Sequence, residues 1–149
     1  MSYSFTGASI SADVKTISIG YFANNASFVV PTLSRVFTDG LKDYFTSQTK
    51  LVLVDRNGDL DIEGSITNYT IQPIAIQGNE TAAQNRLSIT VTVKFINKKN
   101  EKQNFENQTF TRYQDYPSSQ NISAVQDQLI KEIDDQLIQD VFNKTVVNW

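Results

Sequence analysis

Cysteine and histidine are both missing from this 149-residue chain. Their absence removes disulfides, the usual zinc sites, thiol nucleophiles and the commonest general base together. Charge is sparse as well. Thirteen Lys and Arg face 16 Asp and Glu, for a net charge of -3 and a pI near 4.8, which argues against a general nucleic-acid binder. No apolar run approaches the roughly 18 to 20 residues that a membrane helix needs, and no signal peptide is visible. The chain is therefore expected to be soluble as it stands. What it has in quantity is neutral hydrogen-bonding capacity: serine (13), threonine (14), asparagine (13) and glutamine (12) together outnumber the charged residues. Neutral polar groups rather than ion pairs are expected to make up much of the surface.

The most regular stretch is Leu-Ser-Ile-Thr-Val-Thr-Val-Lys-Phe at residues 87–95. Strand side chains have a period of two, so Leu87, Ile89, Val91, Val93 and Phe95 fall on one face and Ser88, Thr90, Thr92 and Lys94 on the other. Burying five such apolar side chains is worth about 1.5–3 kcal/mol each before entropy, so something apolar must cover that face. The hydroxyl-rich face suits a sheet surface left wet or pressed against a polar partner.

The remaining elements supply the cover. Residues 1–12 read as a tether or expression remnant, and 13–149 as a single domain. Residues 15–22 alternate as a first strand, with Ile17, Ile19 and Tyr21 on one side. Pro31 stands at a first helical turn, and Leu33, Val36, Phe37, Leu41, Tyr44 and Phe45 follow at helical spacing to about Gln48. Gly40 within this helix suggests close packing against the sheet. Residues 50–55 form a short apolar strand, and Asn57-Gly58 signals a hairpin into Leu60, Ile62 and Ile66. The phase then slips, which predicts a β-bulge near Thr67 and Asn68, before Pro73 weakens the strand. Residues 77–86 read as a polar loop, 97–103 as a basic turn and 104–113 as another strand. From Ile122 to about Thr145 an amphipathic helix follows, with Ser123 and Gln126 matching a capping box. The fold expected is α+β: a two-layer sandwich, with two helices on one face of a mixed, mostly antiparallel sheet of four to five strands.

No arrangement points to catalysis. The acidic residues from Asp55 to Glu63 resemble the opening of a calcium loop, but Leu60 stands where the glycine is needed and Ile66 where the terminal glutamate is needed. Asp59, Asp61 and Glu63 share a face that reads as solvated, with nothing to push their pKa values apart. Lys98, Lys99 and Lys102 make the densest positive charge, and with Lys94 or Arg86 they offer an anionic headgroup a contact. A solvated turn is the ordinary explanation for such charge. No metal, cofactor or catalytic residue is assigned. A pocket enzyme or small-ligand carrier is the weaker alternative, and a periplasmic adaptor for another protein the stronger one.

Three stretches taken in order carry a resemblance. Tyr3-Ser4-Phe5-Thr6-Gly7 leads to Lys15-Thr16-Ile17-Ser18-Ile19, then Phe22-Ala23-Asn24-Asn25-Ala26. The ending is Phe142-Asn143-Lys144-Thr145-Val146-Val147-Asn148-Trp149. Together they resemble the Bacteroidetes branch of the LptE lipopolysaccharide-assembly lipoproteins. That resemblance implies a two-helix, one-sheet fold and a lipid-anchored protein on the periplasmic side of the outer membrane. It also implies a partner, an LptD-type β-barrel in which the protein sits as a plug, and a role in placing lipopolysaccharide. The acylated cysteine of such a lipoprotein has no counterpart here, where the chain starts Met1-Ser2. Arg86, Lys94, Lys98, Lys99 and Lys102 are the candidate lipopolysaccharide-headgroup contacts.

Overall fold

The computed structural model describes residues 10–28, 30–74 and 83–147. Met1 to Ser9 and Trp149, read above as part of a tether and as the chain's end, lie outside these. The elements are β1 (Thr16–Ile19), β2 (Ala23–Asn24), α1 (Leu33–Gln48), β3 (Val52–Val54), β4 (Leu60–Ile74), β5 (Gln84–Asn97), β6 (Phe105–Pro117) and α2 (Ile122–Phe142). A 3₁₀ turn at Glu101–Gln103 precedes β6, and a π-helical turn at Asn143–Val147 follows α2. The sheet runs β3-β1-β4-β5-β6, with β2 pairing beside β1 on β4. The sandwich is as expected, with six strands rather than four to five, because residues 15–22 divide into β1 and the short β2. The long pairings β4–β5 and β5–β6 are antiparallel, while β1–β3, β1–β4 and β2–β4 are parallel and short.

β5 lies between the two longest neighbours, and its alternation holds throughout. Leu87, Ile89, Val91, Val93 and Phe95 are all fully buried. Leu60, Ile62 and Ile66 of β4 extend the same apolar layer. α1 covers it with Leu33, Phe37, Leu41 and Phe45 at intervals of four, and α2 with Ile133, Leu137 and Val141. At the far end of the helix pair the Phe142 ring meets Tyr44 edge-on at 4.9 Å and Phe45 at 5.0 Å. Gly64 faces this layer: a Cβ there would lie 2.6 Å from the Phe22 ring. Its missing side chain is the space that Phe22 occupies. The bulge falls where the phase slips, between Ile66 and Asn68.

Four local expectations are corrected. Gly40 packs against α2 rather than the sheet, since a Cβ there would meet Ile138 at 2.9 Å. Asn121, not Ser123, caps α2: its side chain accepts from the Ser123 amide at 3.1 Å. β4 continues through Pro73 to Ile74, because beyond Ile66 only β5 pairs with it, and an edge position tolerates a residue without an N–H. The predicted loop ends earlier than Arg86, since β5 starts at Gln84; residues 77–82 of it lie outside the described residues.

The largest correction concerns Asn57-Gly58, which makes no hairpin. β3 and β4 do not pair; each runs parallel to β1, one on either side. Residues 55–59 therefore cross β1 on the face away from the helices. Asn57 adopts a left-handed φ of 59° to make the bend. The Gly58 amide donates to Ser18 Oγ at 3.0 Å, and the Asp59 amide to Thr16 Oγ1 at 2.9 Å. The crossing explains why Ser18, on the polar side of β1, is only 1% exposed. A Cβ at Gly58 would stand 2.6 Å from the Ser18 amide nitrogen and 2.7 Å from the Ile17 carbonyl carbon. These are backbone atoms held in two strand pairings, so they cannot move aside. Gly58→Ala is expected to cost about 1–3 kcal/mol of stability by urea denaturation, as overpacking does elsewhere.

Between the helices lies one polar anomaly. Asp134 of α2 is 3% exposed, and neither carboxylate oxygen has a hydrogen-bond partner. Desolvation first and the neighbouring Asp135 charge second push its pKa up to about 8. The folded state then holds a proton that the unfolded chain releases near 3.8, so folding is favoured on the acid side. Stability is expected to fall with rising pH between about 3.8 and about 8, by up to roughly 1.4 kcal/mol per pH unit. Denaturation of Asp134→Asn on both sides of that window checks this: the variant should lose the slope.

Candidate functional site

Because both helices lie under one side of the sheet, the other side carries every second residue of β4, β5 and β6. The register lines these residues up in rows across the three strands. Gln72, Arg86 and Asp115 form one row, Thr70, Ser88 and Tyr113 the next, then Asn68, Thr90 and Thr111, then Ser65, Thr92 and Thr109, and finally Glu63 with Lys94. The middle of the face is neutral and hydroxyl-rich, and a charge of each sign stands at either end.

Within this face the polar groups already engage one another. The hydroxyls of Thr90 and Thr111 are 2.8 Å apart, and those of Thr67 and Thr92 3.2 Å. A hydroxyl pair uses one O–H, so each retains a donor and lone pairs for a further contact. Thr67 reaches Thr92 because it is the extra residue of the bulge. The Arg86 guanidinium donates twice to Asp115, at 2.8 and 3.2 Å, and lies 3.8 Å over the Tyr113 ring. The hydrogen bond to Asp115 raises the Arg86 pKa above its ordinary value. Neither Tyr113 nor Asp115 was singled out with Arg86 from the sequence. Their separation along the chain hides a pairing that only the β5–β6 register creates.

At the opposite end of β5 is the basic turn. Asn97 Oδ1 accepts from the amides of Lys99 and Asn100 at 2.9 and 3.1 Å, Asn104 Oδ1 accepts from the Asn97 amide at 2.6 Å, and Asn100 Oδ1 accepts from the Lys102 amide at 3.2 Å. These side-chain bonds hold the turn in one shape. Lys98, Lys99 and Lys102 are exposed on it. Lys98 fastens the turn to the crossing: its amide donates to the Asp59 carbonyl at 2.9 Å and its Nζ to the Asn57 carbonyl at 3.1 Å. The structure thus brings Lys98, Lys99 and Lys102 together, with Lys94 about 13 Å back along the strand from Lys98 at a rise near 3.4 Å per residue. Arg86 stands some 40 Å from Lys98 by the same rise.

The acidic stretch turns out to be fastening rather than chemistry. Asp59 Oδ2 accepts from the amides of Lys15 and Thr16 at 2.8 and 3.2 Å, and Asp61 Oδ1 accepts from Ser18 Oγ at 2.6 Å. Among the described residues no cluster of three or more acidic side chains is arranged to hold a metal ion. Of the other charged or aromatic candidates, Arg112 is paired with Asp140 of α2 at 2.8 Å and Tyr116 is buried.

A family model described as lipopolysaccharide-assembly, that of LptE, matches residues 14–145. The chain belongs to the LptE family. Among solved structures, this LptE chain is similar to a minor lipoprotein from Acinetobacter baumannii, with 18% identity and a TM-score of 0.54. That match covers 88% of this chain and 91% of the other. It is also similar to lipoprotein B from Nitrosomonas europaea, with 12% identity, a TM-score of 0.58 and coverage of 91% and 88%. At such identities the likeness is one of fold. Among curated proteins, none matches the chain.

The Lys15 amide is the chief cause that holds the Asp59 pKa below the ordinary carboxylate range. A depressed folded pKa means that the ionised form stabilises the fold above the unfolded pKa, and that this contribution is lost as pH falls through the folded value. Asp59→Ala is expected to melt at a lower temperature than the parent at neutral pH. The gap should close in acid, as followed by circular dichroism.

Proposed function

We propose that this LptE-family chain is a non-catalytic partner and plug of an LptD-type outer-membrane β-barrel. It would be held on the periplasmic side of the outer membrane by a lipid anchor and would assist lipopolysaccharide placement. The Bacteroidetes branch belongs to the same proposal, on the motifs quoted above. Membership of a lipopolysaccharide-assembly family supports the general role. Among the described residues no helix is long and apolar enough to cross a membrane, which fits attachment through a partner and an anchor.

The observation that carries the specific reading is the open sheet face. The interiors of large barrels are polar, and a surface entering one loses bulk water. An isolated charge pays several kcal/mol for that loss, whereas satisfied hydroxyls and charges paired in advance pay far less. The row pattern supplies the second kind of surface, with Arg86 joined to Asp115 and the threonine hydroxyls to one another. The basic turn differs, since the ammonium groups of Lys98, Lys99 and Lys102 stand exposed at the end of the face. They and Lys94 are our candidates for a phosphorylated headgroup, and Arg86 is a separate contact at the opposite end.

Two measurements test this. Photo-crosslinkers at Thr70, Thr92 and Thr109 are expected to capture the barrel, and crosslinkers on the outer side of α1 are not; the reverse pattern would refute the docking face. For the headgroup, each lysine near an anionic surface contributes about 1 kcal/mol. Replacing Lys98, Lys99 and Lys102 by glutamate is therefore expected to lower lipopolysaccharide binding at least tenfold without changing barrel capture. Unchanged binding counts decisively against the headgroup contact.

A further inference from the structure

β6 forms one margin of the sheet, and among the described residues no strand pairs with its outer side. Open edges are usually closed by proline, lysine, a bulge or a covering segment. From Gln108 to Tyr116 this strand has no proline, no lysine and no register shift. Its two charged side chains in that stretch are both drawn aside. Arg112 bonds twice to Asp140 of α2, at 2.8 and 2.9 Å, and Asp115 is held by Arg86 on the opposite face. The other margin, β3, offers only three residues. A groove of about 310 Å³ follows the β6 margin, lined by Thr111, Arg112, Tyr113 and Gln114 together with Gln136 of α2. Four consecutive strand residues alternate between the two faces, so a groove touching all of them runs along the backbone edge. That shape fits an extended chain adding one more strand.

We propose that the strand it accepts is β6 of a second copy, paired antiparallel about a two-fold axis at Thr111. Charge complementarity singles out this occupant and this register. With the axis at Thr111, Arg112 stands opposite Phe110, Tyr113 opposite Thr109, and Gln114 opposite Gln108. No like charges meet, and aromatic side chains lie across from partners that suit them. An axis at Arg112 would instead set two guanidinium groups face to face. The helices agree with the same axis. α2 packs over β6, and Gln136 in the groove would meet its own copy as one neutral amide against another. The acidic groups nearby are already bonded: Asp140 to Arg112, and Glu132 to Gln114 and Gln128 at 2.8 Å each. The result is an isologous pair sharing one continuous sheet.

Sedimentation and light scattering test the pairing. The purified chain is expected at twice its monomer mass. Thr111→Lys sets two ammonium groups at the axis on an exposed face, and should return the protein to a monomer with unchanged melting. Because the chain has no cysteine, Thr111→Cys should oxidise to a disulfide-linked dimer, while Ser47→Cys, exposed on α1, should not. A monomer at every concentration, a dimer that survives Thr111→Lys, or equal crosslinking at both cysteines would overturn the proposal. So would a chain monomeric on its own whose β6 amides become protected from exchange only when a different protein is added.

Discussion

The constraint behind the whole molecule is that β5 has only one apolar face. Five side chains on that face are removed from water entirely, and two helices are just enough to cover them together with the matching residues of β4. Once both helices are committed to that side, no element remains among the described residues to cover the other. The open face is thus a consequence of how the core is satisfied. Its residues had to be ones that tolerate water and still favour strand geometry, and threonine and serine meet both demands.

The polar side also helps to hold the fold. Two parallel strands ordinarily need a connection of a dozen or more residues. β3 and β4 manage with residues 55–59 because those residues lie across β1 and hydrogen-bond to Thr16 and Ser18 on the way. Asp59 and Asp61 complete the clasp, and Lys98 fastens the basic turn to it. The lysines are therefore carried on a braced platform. A charged turn tied at several points presents its ammonium groups with less conformational freedom to lose on binding, so more of each contact is left as affinity.

What could be read from the sequence divides along the range of the interactions. β5, α1 and α2 were legible because their periodicity lies within one element, and the bulge was legible because a phase slip is visible along a single strand. The crossing at Asn57-Gly58 was not. Asn57 does take the left-handed conformation that its type suggests, but two turn residues carry no information on whether a third strand lies between the strands they join. Within the candidate face, the lysines of the turn were found because they are neighbours in sequence. The partnership of Arg86 with Asp115 and Tyr113 depends on strand register and was missed for that reason. Asp134 was hidden differently: an aspartate beside Asp135 in a helix reads as solvated, and only the close approach of α1 at Gly40 shows that this part of the helix pair is buried.

These features together bear on how a face can be both wet and adhesive. A surface that must exchange water for a partner gains most when its groups are satisfied in either state. Unpaired charges are costly on docking, while a purely apolar face would aggregate before docking. Threonine rows avoid both outcomes. Each hydroxyl is bonded to its neighbour while free, and keeps the lone pairs and, in one of every pair, the proton to bond again. The bulge at Thr67 adds to this, since it swings one more hydroxyl into the rows without lengthening the strand pairing. Under the proposed role, affinity would come from many weak, replaceable hydrogen bonds spread over three strands. Direction would come from the charges at the two ends, where a neutralised guanidinium at one end and free ammonium groups at the other make the face asymmetric along β5.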